Sequence, residues 1–297
     1  MPKFETKEKF LFCLLGRSYT DEELEQVFPR AKAELDEHDK ENGVFKIELN
    51  DTNRPDLWSP MGLARLLKNY ENPRIREYDF FSSKCYTADN CGRELHVGPR
   101  AREVREFSCG FVATGKTVDE DILQTLIQSQ EKLCFNFGRK RRAIAMGIYR
   151  NSLIKYPIHY DGADPDKTHF TALHLNDDLS LRQILEKHPK GQEYGYIIKD
   201  KPVYPYLYDD AGKALSMPPI INSAFVGAVE TGDSDLFVEM SGPGLKDILL
   251  CASIMAVDMA DLGFTIQPVK VIYPYETEFG REITVPYYFQ ESQSCTL

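Results

Sequence analysis

One carboxylate inside an apolar run is the group in this chain best suited to the floor of a binding pocket. Glu239 lies within residues 237–242, between Val238 and Met240. On an alternating strand such a side chain either faces solvent or forms the polar floor of a pocket. Gly242 then opens a glycine–proline turn before a predicted helix, where backbone amides could hold an anion or a carbonyl oxygen. The residues alone leave both interpretations of Glu239 open.

A second unusual stretch, residues 215–223, is apolar but contains the adjacent prolines Pro218 and Pro219. Each proline lacks a backbone N–H and fixes φ near about −65°, so the stretch cannot be an interior strand or helix. A rigid apolar segment of this kind forms either the wall of a pocket or a buried connection.

Residues 138–142 form one sharply basic cluster, Gly-Arg-Lys-Arg-Arg. The cluster predicts either a local phosphate contact or a solvated helix C-terminus, where cations interact favourably with the helix dipole. The whole chain of 297 residues has 36 basic and 46 acidic side chains, a formal net charge of −10. That charge argues against a protein that wraps duplex nucleic acid, and we expect no DNA partner.

Residues 110–117 match the phosphate-binding pattern G-x-x-x-x-G-K-[ST] letter for letter, which predicts a nucleotide site with Lys116 on phosphate. The intervening residues, however, are strand formers, and the acidic residues 119–121 would repel phosphate at the helix start. We interpret Thr117 as the N-cap of a capping box with Glu120. The favoured prediction is therefore a strand, a turn and a capped helix.

Other metal or nucleophile patterns are missing from the sequence. The six histidines show no metal-binding spacing and are interpreted as surface or core residues; no C-x-x-C pair and no G-x-S-x-G motif occurs. We expect no metal site. The cysteines are odd in number and widely spread, which indicates free thiols in a reducing cytoplasm. They are Cys13, Cys85, Cys91, Cys109, Cys134, Cys251 and Cys295.

The chain also lacks a membrane signal. Its longest apolar run, residues 248–257, is far shorter than the ~20 residues of a membrane span. The first residues lack the apolar core of a signal peptide. We therefore expect a cytoplasmic protein with no membrane partner.

Local patterns predict the elements that must hold these residues. A capping box at Thr20 predicts a charged helix to about His38, and residues 44–49 alternate as a half-buried strand. Ser59 followed by Pro60 predicts the start of another helix. Beyond it, strands are predicted at residues 105–112, 143–148, 195–198, 236–240 and 269–273, and helices at residues 118–137, 181–188 and 245–262.

This mixture of elements indicates an α+β fold in two parts. We expect a small N-terminal α/β domain at residues 1–84 and a larger mixed α/β domain at residues 85–297. The stretch from Asn72 to about Lys84 is predicted to link them.

Six runs together resemble the N-terminal part of the beta subunit of phenylalanyl-tRNA synthetase of the archaeal and eukaryotic type. They lie at residues 53–57 with 62–65, 126–133, 138–141, 145–149, 184–191 and 215–223, in the family's order and spacing. The resemblance covers essentially the whole chain. It implies a fragment of a longer subunit, with residues 85–297 as its tRNA-editing domain.

The resemblance implies that this domain hydrolyses tyrosine wrongly esterified to tRNA(Phe), by attack of water on the aminoacyl ester. It places Ser216, Glu239 and Ser241 at catalytic positions. It places the substrate against Leu207, Pro218, Pro219, Ile220, Glu239 and Gly242, and the tRNA approach at Arg139, Lys140, Arg141 and Arg142. After Gly242 the family usually carries a Thr-Asp type pair, whereas this chain has Pro243-Gly244, so no role of those side chains carries over.

The expected partners are the tRNA(Phe) 3′ end and the alpha subunit of an α2β2 synthetase. The fragment is expected to support aminoacylation only within that enzyme. It needs no cofactor of its own, because ATP and magnesium belong to the full enzyme. The alternative is a non-catalytic tRNA-binding or subunit-docking module that keeps the fold without the editing activity.

Overall fold

The computed structural model describes residues 2–50, 53–73, 76–81 and 92–289. The expected domain boundary at residue 84 lies outside these ranges, as do Cys85, Cys91 and Cys295. The four cysteines within them are free thiols.

The described strands and helices alternate irregularly along the chain. The strands are β1 (Lys3–Lys7), β2 (Ala33–Asp39), β3 (Val44–Leu49), β4 (Glu94–Val97), β5 (Phe107–Thr114), β6 (Ala145–Arg150), β7 (Ile158–Ala163), β8 (His169–Thr171), β9 (Asp178–Ser180), β10 (Tyr204–Tyr208), β11 (Ala214–Met217), β12 (Ile221–Asn222), β13 (Asp235–Gly242), β14 (Thr265–Ile272) and β15 (Glu282–Val285). The helices are α1 (Glu8–Leu15), α2 (Asp21–Val27), α3 (Pro60–Glu71), α4 (Glu120–Lys132), α5 (Leu181–Lys187), α6 (Pro189–Tyr194) and α7 (Leu245–Asp261).

The strands form two main sheets. A small antiparallel sheet has the order β1-β3-β2. A large mixed sheet has the order β12-β11-β10-β7-β4-β14-β5-β13-β6, with β15 paired to β14. Strand β4 runs parallel to both neighbours, and helix α7 packs on β5 and β13. The expected α+β class is confirmed.

The N-terminal helix prediction is wrong at its C-terminal end. The capping box at Thr20 is present, but the helix ends at Val27 and a 3-10 turn follows. Pro29 in that turn lacks the N–H that a continuing helix needs. The chain then forms β2 because residues 33–39 find strand partners on β3. Tertiary pairing thus overrides the helical preference of a charged segment.

Two further local predictions are wrong. The N-cap of α4 is Asp119, which accepts from the Ile122 amide at 2.8 Å, and not Thr117. Residues Gly195–Ile197 form a 3-10 turn that continues from α6, and not a strand. The rejection of the phosphate-loop pattern is confirmed, because most of that match lies within β5.

The remaining predictions are close to the structure. The strand at residues 44–49 coincides with β3, and Ser59 caps α3 by accepting from the Gly62 amide. The predicted helices near residues 118–137 and 245–262 correspond to α4 with its following π-turn and to α7. One hydrophobic core contains buried residues from both main sheets.

A buried polar network joins α3 to α7. The Ser59 hydroxyl donates to Asp258 at 2.7 Å, and the Arg65 guanidinium donates to Asp258 at 3.0 Å and to Asp261 at 2.5 Å. Tyr78 also donates to Asp261, at 2.8 Å. Burial raises the pKa of Asp258 to about 6, although the Arg65 charge acts in the opposite direction. These hydrogen bonds therefore hold α3 against α7, the helix that covers the large sheet.

We expect Asp258→Ala to lower the free energy of unfolding by about 3 kcal/mol, because it leaves Arg65 buried with half of its carboxylate partners. The control is Asp166→Ala, which removes the solvent-exposed pair with Arg182 and should cost less than ~1 kcal/mol. Urea unfolding of the three proteins measures both values. Equal, small losses would show that the α3–α7 network contributes nothing to stability.

Candidate active site

Glu239 lies on a strand that is paired along both edges. Strand β13 runs antiparallel to β5 on one side and β6 on the other, with Glu239 opposite Gly110 and Gly147. Alternation places Phe237, Glu239 and Ser241 on one face of the sheet. The other face is covered by α7. The exposed accessible fraction of Glu239 is 1%. The solvent-facing alternative for this carboxylate is therefore wrong.

The two glycines opposite Glu239 leave room for neighbouring aromatic side chains, and neither is part of a turn. A Cβ at Gly147 would overlap the phenol oxygen of Tyr149, and a Cβ at Gly110 would lie 2.8 Å from the Phe237 ring. Neither glycine has positive φ. Glycine inside a strand often marks such a close approach. The absence of a side chain at Gly147 lets Tyr149 fold over β6 toward the carboxylate, and its absence at Gly110 makes room for the Phe237 ring.

The hydroxyl groups of Ser108, Ser241 and Tyr149 surround the carboxylate of Glu239. Ser108 donates to its Oε1 atom at 3.0 Å, and the Tyr149 phenol donates to Ser216 at 2.9 Å. Burial raises the pKa of Glu239 to about 7, while contacts with Ser108, Ser241 and Tyr149 oppose that rise. The carboxyl group therefore changes between its neutral and ionised forms near neutral pH.

Arg105 is a buried cation behind this group. Its guanidinium donates to Ser241 Oγ at 3.1 Å, to the Ser241 carbonyl, and to the Arg142 carbonyl at 3.0 Å. Burial lowers the pKa of Arg105, and the charge of Arg105 lowers the pKa of Glu239. A cation and a carboxylate thus share one buried region without direct contact.

A cavity of about 470 Å³ opens over the carboxylate. Its size is typical of pockets that enclose a small molecule. The polar floor contains Glu239, Tyr149 and Ser216. The apolar walls are formed by Leu126, Ile127, Met146, Ile148, Pro218, Pro219 and Ile220. The proline stretch is therefore a pocket wall, as one of its two interpretations predicts.

Of the eight residues predicted as catalytic or substrate-binding, five meet in this cavity and three do not line it. Ser216, Pro218, Pro219, Ile220 and Glu239 line the cavity. Leu207, Ser241 and Gly242 are buried outside its lining. Leu207 pairs with Ser216 across β10 and β11, and Ser241 accepts from Arg105.

The basic cluster forms a turn after α4 and its π-turn. Arg139, Lys140 and Arg141 all have positive φ, between 51° and 66°. Arg141 reaches the cavity, donating to the Pro219 carbonyl at 3.0 Å and the Ile220 carbonyl at 3.1 Å. The side chains of Arg139, Lys140 and Arg142 are exposed. One cation of the cluster thus belongs to the cavity rim.

Sequence reasoning missed four residues at this site. Arg105, Ser108 and Tyr149 contact the predicted residues directly. His174, interpreted as an ordinary histidine, lies exposed on the cavity rim. The available signal was a glycine within each predicted flanking strand, because such glycines mark a side chain packed closely over the backbone.

Within the described ranges, no cluster of three or more His, Cys, Asp or Glu side chains is suited to a metal ion. No helix of this part of the chain has the length and apolar character to cross a membrane.

A solved structure with the same architecture decides the family. The crystal structure of an N-terminal fragment of the phenylalanyl-tRNA synthetase beta-subunit from Pyrococcus horikoshii matches with a TM-score of 0.87 and 37% identity. The match covers 96% of this chain and 79% of that chain. The chain belongs to the phenylalanyl-tRNA synthetase beta-subunit family. The resemblance noted in the sequence is confirmed at this level.

Longer relatives agree with this family. The phenylalanine–tRNA ligase beta subunits of Borrelia hermsii (strain HS1 / DAH) and Borreliella burgdorferi (strain ZS7) are each 45% identical, over 295 and 293 residues. Each match covers 98% of this chain and 51% of the relative, so the chain spans about half the length of these beta subunits. No protein-family model matches the chain.

We expect the buried carboxyl to make stability depend on pH. The pKa of Glu239 is about 7 in the folded protein and about 4.3 in unfolded chains. Between these values the folded protein holds a proton that the unfolded chain has lost. The contribution of Glu239 to stability is therefore fully present below about pH 4.3 and falls as the pH rises toward 7, by about 4 kcal/mol.

Urea unfolding of wild type and Glu239→Gln at pH 4.5 to 8 tests this dependence. Glutamine keeps the size but does not titrate, so the difference between the two proteins isolates this group from Asp258. We expect wild type to lose stability relative to the variant up to about pH 7, with no further change above it. A constant difference across the range would contradict the elevated pKa.

Proposed function

We propose that residues 92–289 contain an editing site that hydrolyses tyrosine mis-esterified to tRNA(Phe). The beta-subunit family gives the context, because a synthetase for phenylalanine must reject tyrosine, which differs by one hydroxyl group. A hydrophobic synthetic pocket rejects an added hydroxyl only weakly. A second site that binds the hydroxyl supplies the missing discrimination.

One observation carries the proposal: a buried carboxyl group with hydroxyl neighbours lies at the floor of an apolar cavity. The walls around Pro218 and Pro219 suit an aromatic ring, and Glu239 can accept a hydrogen bond from the phenol. The Tyr149–Ser216 pair offers a second polar contact. Phenylalanine offers no hydroxyl, so the remaining hydrogen-bonding capacity of these buried groups would stay unused, which costs about 1–3 kcal/mol per group.

The proposed chemistry is direct attack of a water molecule on the ester. Ser216 accepts a hydrogen bond from Tyr149. This bond orients Ser216 as a positioning and recognition group. The ribose hydroxyl next to the ester is proposed to orient the water. Gly242 and Ser241 lie outside the cavity lining, so the proposal gives Ser241 an indirect role, through Arg105 and the charge of Glu239.

We propose that the chain acts within a longer subunit, together with an alpha subunit in an α2β2 assembly in the cytoplasm. There it would support aminoacylation of tRNA(Phe). We propose that this part alone does not aminoacylate and needs no cofactor for editing. Residues 1–84 would form a separate N-terminal domain. Its helix α3 would contact the editing domain through the hydrogen bond from Arg65 to Asp258 on α7.

We expect Glu239→Ala to lose the preference for tyrosine. With Tyr-tRNA(Phe) and Phe-tRNA(Phe) as substrates, the ratio of the two kcat/KM values for deacylation should fall about 5- to 150-fold, as expected for one buried hydrogen bond. The matched control is Glu25→Ala, which removes an exposed carboxylate on α2 and should change neither rate.

Two outcomes contradict the proposal in different ways. An unchanged tyrosine preference in Glu239→Ala would remove this carboxyl from recognition. Failure of the wild-type chain to deacylate Tyr-tRNA(Phe), with intact tRNA binding, would favour the non-catalytic module instead. In wild type the tyrosine preference should also rise with pH through about 7, because the ionised carboxylate accepts the stronger hydrogen bond from the phenol.

A further inference from the structure

We propose that a groove beside the cavity holds the unpaired 3′-terminal nucleotides of tRNA, with Phe135 as a stacking surface and Lys132 and Lys190 as phosphate contacts. The identity of the RNA rests on the proposed function. The groove itself is an RNA-binding site distinct from the pocket that receives the amino acid.

The groove borders the cavity. It has a volume of about 540 Å³ and shares Ile127, Gln130, Arg141 and Lys190 with the cavity lining. An amino acid in the cavity remains esterified to the terminal ribose, and the groove across these shared residues offers space for the nucleotides before it.

An exposed aromatic ring lies along this path. Phe135 is 50% exposed at the π-turn that follows α4, and the Lys140 ammonium lies 5.5 Å from its ring centroid. Ile127 is also exposed, at the boundary between groove and cavity. Unpaired bases stack on surface aromatic rings of this kind, with little dependence on sequence.

Cations are held at the junction of the two spaces. The Arg141 guanidinium lies 4.3 Å from the Tyr194 ring centroid, and the Lys190 ammonium lies 5.5 Å from the same centroid. Tyr194 is buried, so it orients the two cations and does not itself serve as a stacking surface. Lys132 adds a half-buried cation from the end of α4.

The balance of charge favours a polyanion. The groove also contains Glu131 and Glu193, and Glu193 pairs with Lys190 at 2.9 Å. The groove-lining residues Lys132, Arg141 and Lys190 outnumber these two acids, in a chain with a net charge of −10, and Lys140 lies beside the Phe135 ring. An acidic surface elsewhere repels RNA, so this local excess of cations directs phosphate to the groove.

The probe is the fluorescein-labelled RNA tetranucleotide ACCA, bound to the full chain and followed by fluorescence anisotropy. We expect Phe135→Ala to weaken binding about 5- to 150-fold and Phe135→Tyr to retain it, because tyrosine keeps a stacking ring. Lys132→Ala should lower the salt slope of log K by about 0.7.

The matched controls are Phe225→Ala and Lys213→Ala. Phe225 is 41% exposed and has the Lys213 ammonium 4.2 Å from its ring centroid, but both residues lie outside the groove lining. Neither variant should change affinity or salt slope. Urea unfolding of each variant confirms that the fold is retained.

Deacylation of Tyr-tRNA(Phe) separates this proposal from the editing function. We expect Phe135→Ala to raise KM with kcat unchanged, because the change lies outside the pocket. Unchanged KM and unchanged ACCA affinity, with wild-type editing intact, would overturn the groove alone. Loss of ACCA binding in Phe135→Ala, in a chain that edits nothing, would leave the groove standing without the editing site. Displacement of ACCA by an octaglutamate peptide at equal affinity would overturn it in favour of an acidic protein partner.

Discussion

The structure depends most on the burial of one carboxyl group in a strand that has no free edge. Glu239 is enclosed by β5, β6 and the helix behind the sheet, so the only polar groups available to it are those that the fold brings there. Ser108, Tyr149 and the Arg105 charge meet that need only in part, since its pKa remains elevated. A group that is incompletely satisfied at the floor of a cavity is poised to bind a polar ligand.

Much of the fold follows from local sequence signals, and the errors have one common cause. Caps at Thr20 and Ser59 and the alternation of β3 are short-range features, and they are found as predicted. Residues 33–39 became a strand because β3 offers partners that no local pattern reveals. Asp119 is the cap instead of Thr117, and because both positions carry a capping residue type, the local pattern alone does not distinguish them.

The site was predictable where a residue type was unusual for its surroundings. Glu239 in an apolar run and the Pro218–Pro219 pair both stand out in the sequence, and both line the cavity. Arg105 and Tyr149 do not stand out, because their roles come from contacts across sequence separations of 136 and 67 residues. Strand order was not predicted, and it is strand order that brings these residues together.

The glycine opposite the carboxylate on β6 has a consequence for how the family would change over time. Gly147 has ordinary strand geometry, so its constraint is volume and comes from the Tyr149 phenol. A lineage that lost the need for the site would be free to shorten Tyr149, and only then could a larger residue enter at position 147. The order of those two substitutions is fixed by epistasis, so a larger residue at position 147 would be a record of the site's decay.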